Sequence, residues 1–351
     1  MSDASESSRR SFLRAAGLGA AGMAAGISMG SGTQVEAATS TGQRNIIEPA
    51  SMTGLLRQVR AGDLDIGYVD MGPADGKAAV LLHGWPYDIH CFEEVAPLLA
   101  KAGYRVIVPY LRGYGTTRFI SADAIRNAQQ AVFAQDVIAL MDALKISKAT
   151  VAGCDWGART ACIVAAIWPE RCTALVSVSG YLIGSQQANI MPLPPQAELS
   201  WWYQFYFATE RGRRGYDANR KEFAKLIWRT ASPSWKFDDA TFERSARAFD
   251  NPDHVAIVIH NYRWRLGVAD GEKRFDEIEE RLARGPVISV PTITLEGDAN
   301  GAPHPESAAY AKKFSGKYEH RLITGGIGHN LPQEAPAAFV QAIVDVAARS
   351  S

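Results

Sequence analysis

The residues Gly153-Cys154-Asp155-Trp156-Gly157 follow a short apolar run, Ala149 to Ala152, and open a segment of helical pattern. Two side chains in that frame could be nucleophiles, the Cys154 thiol and the Asp155 carboxylate. A strand, a sharp turn and a helix, with glycine on both flanks, lift the central residue to the carboxyl edge of a sheet. That residue is Asp155, which sends Cys154 back toward the packing. A carboxylate attacks a saturated carbon bearing a leaving group and leaves an alkyl ester, whereas attack on an ester would give a reactive anhydride. Plain ester hydrolysis is therefore disfavoured; a solvated aspartate at a strand end is the bland alternative.

Such a turn needs a sheet behind it. Leu64 to Met71 alternates and predicts a hairpin with the segment near Leu56 to Arg60. Strands are predicted at Ala78 to Leu82, Tyr104 to Val108, Ala149 to Gly153, Ala174 to Ser179, Val290 to Leu295 and Tyr318 to Ile323. Helical patterns over Phe92 to Ala102, Ala131 to Leu144, Ala158 to Trp168 and Ala335 to Arg349 alternate with them, which implies a parallel sheet covered on both faces. From about Tyr181 the alternation breaks. Pro192, Pro194 and Pro195 precede an aromatic-rich helical region running to about Arg284, read as an insertion between the sixth and seventh strands.

Composition sets the remaining bounds. A 351-residue chain with 47% hydrophobic and 21% charged residues can bury a large core, and one α/β domain with an insertion absorbs its length. Lys plus Arg equals Asp plus Glu at 37 each, so no basic field attracts nucleic acid, and a small molecule is the expected partner. The four cysteines include no Cys-x-x-Cys pair; buried free thiols are expected, with one disulfide as the alternative, and no metal. Gly325-Gly326-Ile327-Gly328 lacks the Lys-Ser/Thr ending and strand-then-helix context of a phosphate loop, so no cofactor is expected. Ser8-Arg9-Arg10-Ser11-Phe12-Leu13 resembles a twin-arginine export signal, and residues 1–38 are expected to be such a leader, cut near Ala37 or Ala38. The weakly hydrophobic run Ala15 to Val35 argues against a stable membrane anchor, so the expectation is a periplasmic or secreted monomer or homodimer handled by the twin-arginine machinery.

With these motifs in place, the chain resembles the α/β-hydrolase family over nearly all of the sequence beyond the leader. His83-Gly84-Trp85-Pro86 looks like the family's oxyanion loop, Leu111-Arg112-Gly113-Tyr114-Gly115 like its Arg-Gly-x-Gly turn and Gly153 to Gly157 like its elbow. The Asp-Trp elbow is similar to that of epoxide hydrolases and haloalkane dehalogenases; Tyr110 departs from the aspartate many relatives carry before Leu-Arg-Gly. The resemblance implies a mostly parallel eight-stranded sheet flanked by helices, with a core at 39–180 and 286–351 and a helical cap at 181–285, after strand 6. It also implies a triad in the order nucleophile, acid, base. His329 is then the base, and Asp298, one residue beyond strand-ending Gly297, is preferred as the acid over Glu296 within the strand. The oxyanion donors fall at the backbone N–H groups of Trp85 and Trp156, and His83 is expected to stabilise their loop.

What leaves the substrate depends on the cap. Opening an epoxide creates an alkoxide too basic to leave unaided, which calls for phenolic acids. Tyr203, in Trp202-Tyr203-Gln204-Phe205-Tyr206-Phe207, and Tyr262, in Asn261-Tyr262-Arg263-Trp264, match the two cap tyrosines of epoxide hydrolases; Tyr203 is preferred over Tyr206. Trp156, Trp202, Phe205 and Trp264 are the expected substrate contacts, while Tyr206, Phe207 and Trp228 are better read as packing. A halide would need N–H donors instead, of which Trp156 offers one. Fluoroacetate dehalogenases resemble this chain at Arg159 and the Tyr-Arg pair, but have arginine after the nucleophile and tryptophan at the Tyr203 position, which argues against a small carboxylate substrate. The expectation is an epoxide hydrolase; the alternatives are a haloalkane or haloacid dehalogenase, or a non-catalytic ligand-binding or effector protein on this scaffold.

Overall fold

In the computed structural model, residues 52–349 are described; the expected export signal lies outside them. The predicted hairpin forms as β1 (Leu56–Ala61) and β2 (Leu64–Met71), and the sheet continues through β3 (Lys77–Leu82) and β4 (Tyr104–Pro109). A two-residue β5 (Arg118–Phe119) pairs with β2, and β6 (Ala149–Gly153), β7 (Cys172–Val178), β8 (Thr292–Gly297) and β9 (Tyr318–Ile323) complete it. The spatial order is β1-β2-β4-β3-β6-β7-β8-β9. β2 runs antiparallel to both neighbours, and every pair from β4 across to β9 is parallel. The short β5 makes nine strands where eight were expected. β8 starts at Thr292 rather than Val290 because Pro291 has no N–H for the ladder and contributes its carbonyl to Leu175 instead.

The central strands are apolar because both faces are covered. Val80, Leu81, Leu82, Val151 and Ala152 have no exposed surface. The flanking helices are α1 (Val95–Lys101), α2 (Gln130–Ala143) and α3 (Trp156–Ile167), with α14 (Pro336–Ala348) at the end of the chain. The helix expected over Phe92 to Ala102 is split, since Ile89–Phe92 forms a separate 3-10 turn capped by the Asp88 carboxylate. Helix α3 begins at Trp156, two residues earlier than its periodicity predicts, directly after Asp155.

Between β7 and β8 lie α4 (Gln186–Asn189), α5 (Pro195–Ser200), α6 (Trp202–Ala208), α7 (Glu210–Ala218), α8 (Arg220–Ala231), α9 (Asp239–Ala246), α10 (His254–Arg265) and α11 (Asp276–Ala283). Two short helices, α12 (Ser307–Tyr310) and α13 (Leu331–Glu334), follow β8 and β9. The inserted helices settle on the sheet's carboxyl edge through an aromatic cluster around Trp85, whose ring lies 5.1 to 6.2 Å from those of Tyr203, Phe207, Tyr216, Phe223 and Tyr262. Cys91, Cys154, Cys162 and Cys172 are all buried and free. Among the described residues no helix is long and apolar enough to cross a membrane, and no cluster of His, Cys, Asp and Glu could hold a metal.

Candidate active site

Asp155 has φ +53° and ψ −123°, a conformation that costs a non-glycine residue on the order of 1–3 kcal/mol. The neighbours enforce it. A side chain at Gly157 would place Cβ 1.9 Å from the Leu82 carbonyl, and one at Gly153 would meet the backbone of Gly157 at 2.5 Å. The elbow thus closes only with glycine at both flanks. Gly84 matters equally, because a Cβ there would sit 2.3 Å from Asp155 Oδ1. That space is used by the Trp85 N–H, which gives a 2.8 Å hydrogen bond to Asp155 Oδ1, and the Trp156 N–H beside it lowers the carboxyl pKa.

His329 Nε2 stands 3.5 Å from Asp155 Oδ2, with side-chain exposures of 12% and 20%. Burial alone would raise the aspartate pKa, but the His329 hydrogen bond and charge, Arg159 and the Trp156 N–H outweigh it, so Asp155 is held below its ordinary value. Burial likewise pulls His329 down, and Asp155 more than offsets it, leaving the imidazole above its ordinary value. The two shifts are one interaction seen from both partners. The loop carrying His329 is braced by Ser232, whose Oγ accepts from the His329 N–H at 2.9 Å and donates to Glu334 at 2.6 Å. Glu334 also accepts from the N–H groups of Gly328 and Asn330.

The loop carrying Trp85 is fixed from above. The Trp85 indole donates to Tyr216 Oη at 2.9 Å, Tyr216 lies 2.9 Å from His254 Nε2, and His254 Nδ1 lies 2.9 Å from the Gly113 carbonyl. Burial drives His254 down to about 3, so it is neutral; Nδ1–H donates to Gly113 and Nε2 accepts from the phenol. Below, buried His83 is pulled down to about 4 by desolvation and accepts from the Leu111 N–H. Tyr203 and Tyr262 form the roof, ring centroids 5.4 Å apart and edge to face, and both border the cavity containing Asp155 and His329. Burial pushes Tyr203 up to about 12 and raises Tyr262 well above its ordinary value, so both phenols keep their protons.

This arrangement, a strained aspartate over a parallel sheet facing a histidine and two backbone donors, coincides with a family match. The α/β hydrolase fold model matches residues 78–323. The chain belongs to that family. A crystal structure from Klebsiella pneumoniae with a provisional epoxide hydrolase description is 64% identical, covering 85% of this chain and 98% of that one, with TM-score 0.84. Epoxide hydrolase B of Mycobacterium tuberculosis is 34% identical over 39% of this chain and 41% of that enzyme, so the match spans about two fifths of that relative. A haloalkane dehalogenase of Mycobacterium marinum is 28% identical over 57% of this chain and 67% of that enzyme. The protein is an epoxide hydrolase-like α/β-hydrolase enzyme.

Within this α/β-hydrolase, Asp155, His329, Tyr203, Tyr262, Trp156 and Trp264 meet at one cavity. Asp155 also borders an adjoining lobe together with Trp85 and Trp202, whose side chain is 39% exposed. Two expected residues are elsewhere. Phe205 is 49% exposed and lines a separate groove, because it lies two residues from Tyr203 on α6 and so faces the opposite way. Asp298 is exposed, and its carboxylate accepts from the N–H groups of Gly325, Gly326 and Ile327 at 2.9 to 3.0 Å. These bonds lower its pKa from the ordinary value and commit it to the glycine loop rather than to His329. His329 Nδ1 is buried and makes no hydrogen bond among the described residues; Glu296 Oε2 makes none either, with His304 Nε2 4.0 Å away. The Glu296 charge acts on His329, and the two chain segments touch where the Ala299 N–H donates to the Ile327 carbonyl. Sequence reasoning missed Tyr216, His254, Ser232 and Glu334; only the burial of two polar residues in cap helices could have hinted at the first pair.

Proposed function

We propose that this enzyme opens an epoxide to a vicinal diol through an alkyl ester on Asp155. The observation that carries the reading is the pair of protonated phenols, Tyr203 and Tyr262, above an ionised aspartate in one cavity. Asp155 attacks an oxirane carbon, the carbon–oxygen bond breaks, and a tyrosine gives its proton to the departing oxygen, which stays on the product. Esterification removes the Asp155 charge, which is what holds His329 above its ordinary value. Burial then dominates, the imidazole is released as a base, and it takes a proton from water attacking the ester carbonyl. The oxyanion forms where the Asp155 carboxylate already accepts from the Trp85 N–H, with the Trp156 N–H as the second donor of the proposal.

For the acid that orients His329, Glu296 is the better candidate than Asp298, since its Oε2 and His329 Nδ1 are both buried without a hydrogen bond among the described residues and its charge acts on the imidazole. Asp298 instead shapes the loop. The buried, unpartnered Trp156 Nε1 favours a second reading, halide displacement from a haloalkane by the same carboxylate, but one indole donor is a weaker halide cradle than two phenols are an acid pair. The twin-arginine pattern supports an exported enzyme within the same proposal. A panel of aliphatic and aryl epoxides beside chloro- and bromoalkanes tests the function: diol formation without halide release is expected, and halide release with no diol would replace this reading by the second.

A further inference from the structure

Asp155 shares its cavity with two guanidinium groups that have no anionic partner of their own. Arg159 lies one turn along α3, its backbone N–H donating to the Asp155 carbonyl at 3.0 Å, and Arg265 closes α10 with its guanidinium 4.8 Å from the Trp201 ring centroid. Neither side chain makes a hydrogen bond or ion pair among the described residues. Arg112 shows what a settled buried arginine looks like here: it donates twice to Asp136 at 2.7 Å and once to the Asn127 carbonyl. Arg159 and Arg265 are only partly exposed, and a partly buried guanidinium without such partners is costly. Desolvation accordingly drives Arg159 down to about 10, the like charge of Arg265 adds to the fall, and Asp155 is the first opposing influence. Glu279 feels Arg159 as well, but its oxygens are occupied by the Ala131 N–H and the amides of Gln129 and Gln130.

The space around the nucleophile divides in two. One lobe, about 140 Å³, holds both arginines; the other, about 190 Å³, is bordered by Leu199, Trp202 and Ile227 and has no charged neighbour besides Asp155 and His329. Tyr203, Trp201 and Ala302 border both. In the free enzyme one carboxylate faces two guanidinium groups. Once Asp155 becomes a neutral ester, the arginine lobe keeps two positive charges and loses its own negative one. An anion brought by the substrate restores the balance at the moment it is lost.

We propose that the substrate is an epoxide carrying a carboxylate, which Arg159 and Arg265 bind in one lobe while the substituent across the oxirane occupies the apolar lobe. This rests on the epoxide reading above and adds the substrate class; the carboxylate takes no part in bond making. It extends the expectation from sequence, which disfavoured only a small carboxylate substrate, because Arg265 belongs to no motif and reaches the cavity only through the fold.

The test compares a trans-epoxy acid with its primary amide, and separately titrates 3-phenylpropanoate and 3-phenylpropanamide against the enzyme by calorimetry. Charge-assisted bonds of the usual strength predict that wild type favours the acid by about thirtyfold or more in kcat/KM, with the ratio falling toward one in Arg159→Gln and Arg265→Gln. Equal use of acid and amide by wild type would overturn the proposal. So would arginine variants that depress both substrates alike, which would assign these groups to the acidity of the tyrosines. If neither epoxide is turned over, the epoxide reading fails. Carboxylate binding that the amide does not share, and that is lost in the variants, would then still support the anion subsite, whereas absent carboxylate binding would remove it.

Discussion

The floor and the roof of the cavity are held by different means. Below, Asp155 is placed by backbone: a strained φ, glycines at 84, 153 and 157 that leave no room for a Cβ, and the Trp85 N–H donor. Above, Tyr203 and Tyr262 are placed by side chains, through ring contacts with Trp85, Trp156 and Phe207. The contrast teaches that the proposed nucleophile and the N–H donor beside it are held by backbone, while the proposed proton donors sit in a layer that sequence change can alter without disturbing the elbow.

If that division is right, removing the base should do the most damage while leaving the floor able to react. His329→Gln should slow turnover by about 10³- to 10⁴-fold and accumulate an ester on Asp155, detectable as a substrate-sized mass increase of the intact protein. Rapid turnover without an adduct would point to direct attack of water. The roof should fail one step earlier. Tyr262→Phe should lower turnover by about 10²-fold, and Tyr203→Phe by a similar factor, with no adduct accumulating, because ester formation becomes the slow step when one proton donor is lost. An adduct in either variant would move the tyrosines out of the first step.

The two acids separate next. Glu296→Gln should lower kcat by about tenfold to a hundredfold with the fold intact, whereas Asp298→Asn should lower thermal stability and affect kcat less, since its partners are loop N–H groups. The reverse ranking would restore Asp298 as the orienting acid. The smallest effect is in the pH profile. His329 is raised in the free enzyme by Asp155, and the ester cancels that charge, so the acid limb of kcat should fall below the His329 pKa measured by NMR in the free enzyme. A kcat limb at or above the free value would mean that Asp155 stays ionised through the slow step.

Much of the floor was legible in the sequence because backbone geometry leaves local marks. The apolar run Ala149 to Ala152, the flanking glycines and the central Asp155 specify the elbow within a few residues, and His83-Gly84-Trp85 marks the loop facing it. Asp298 shows where that legibility ends. It stands one residue beyond β8, as the sequence implies, but three N–H groups from a distant loop decide where its carboxylate points. Phe205 was avoidable, since two positions on a helix stand on opposite sides. Arg265, Tyr216 and His254 left no local mark, because each matters only through a neighbour far away in the chain.

The central claim is the covalent ester on Asp155, and heavy-oxygen labelling addresses it directly. A single turnover in H₂¹⁸O, followed by proteolysis and mass spectrometry, should place one ¹⁸O in the peptide carrying Asp155, because water attacks the ester carbonyl and leaves its oxygen on the enzyme. Label found in the diol alone, with the Asp155 peptide at natural abundance, would contradict it.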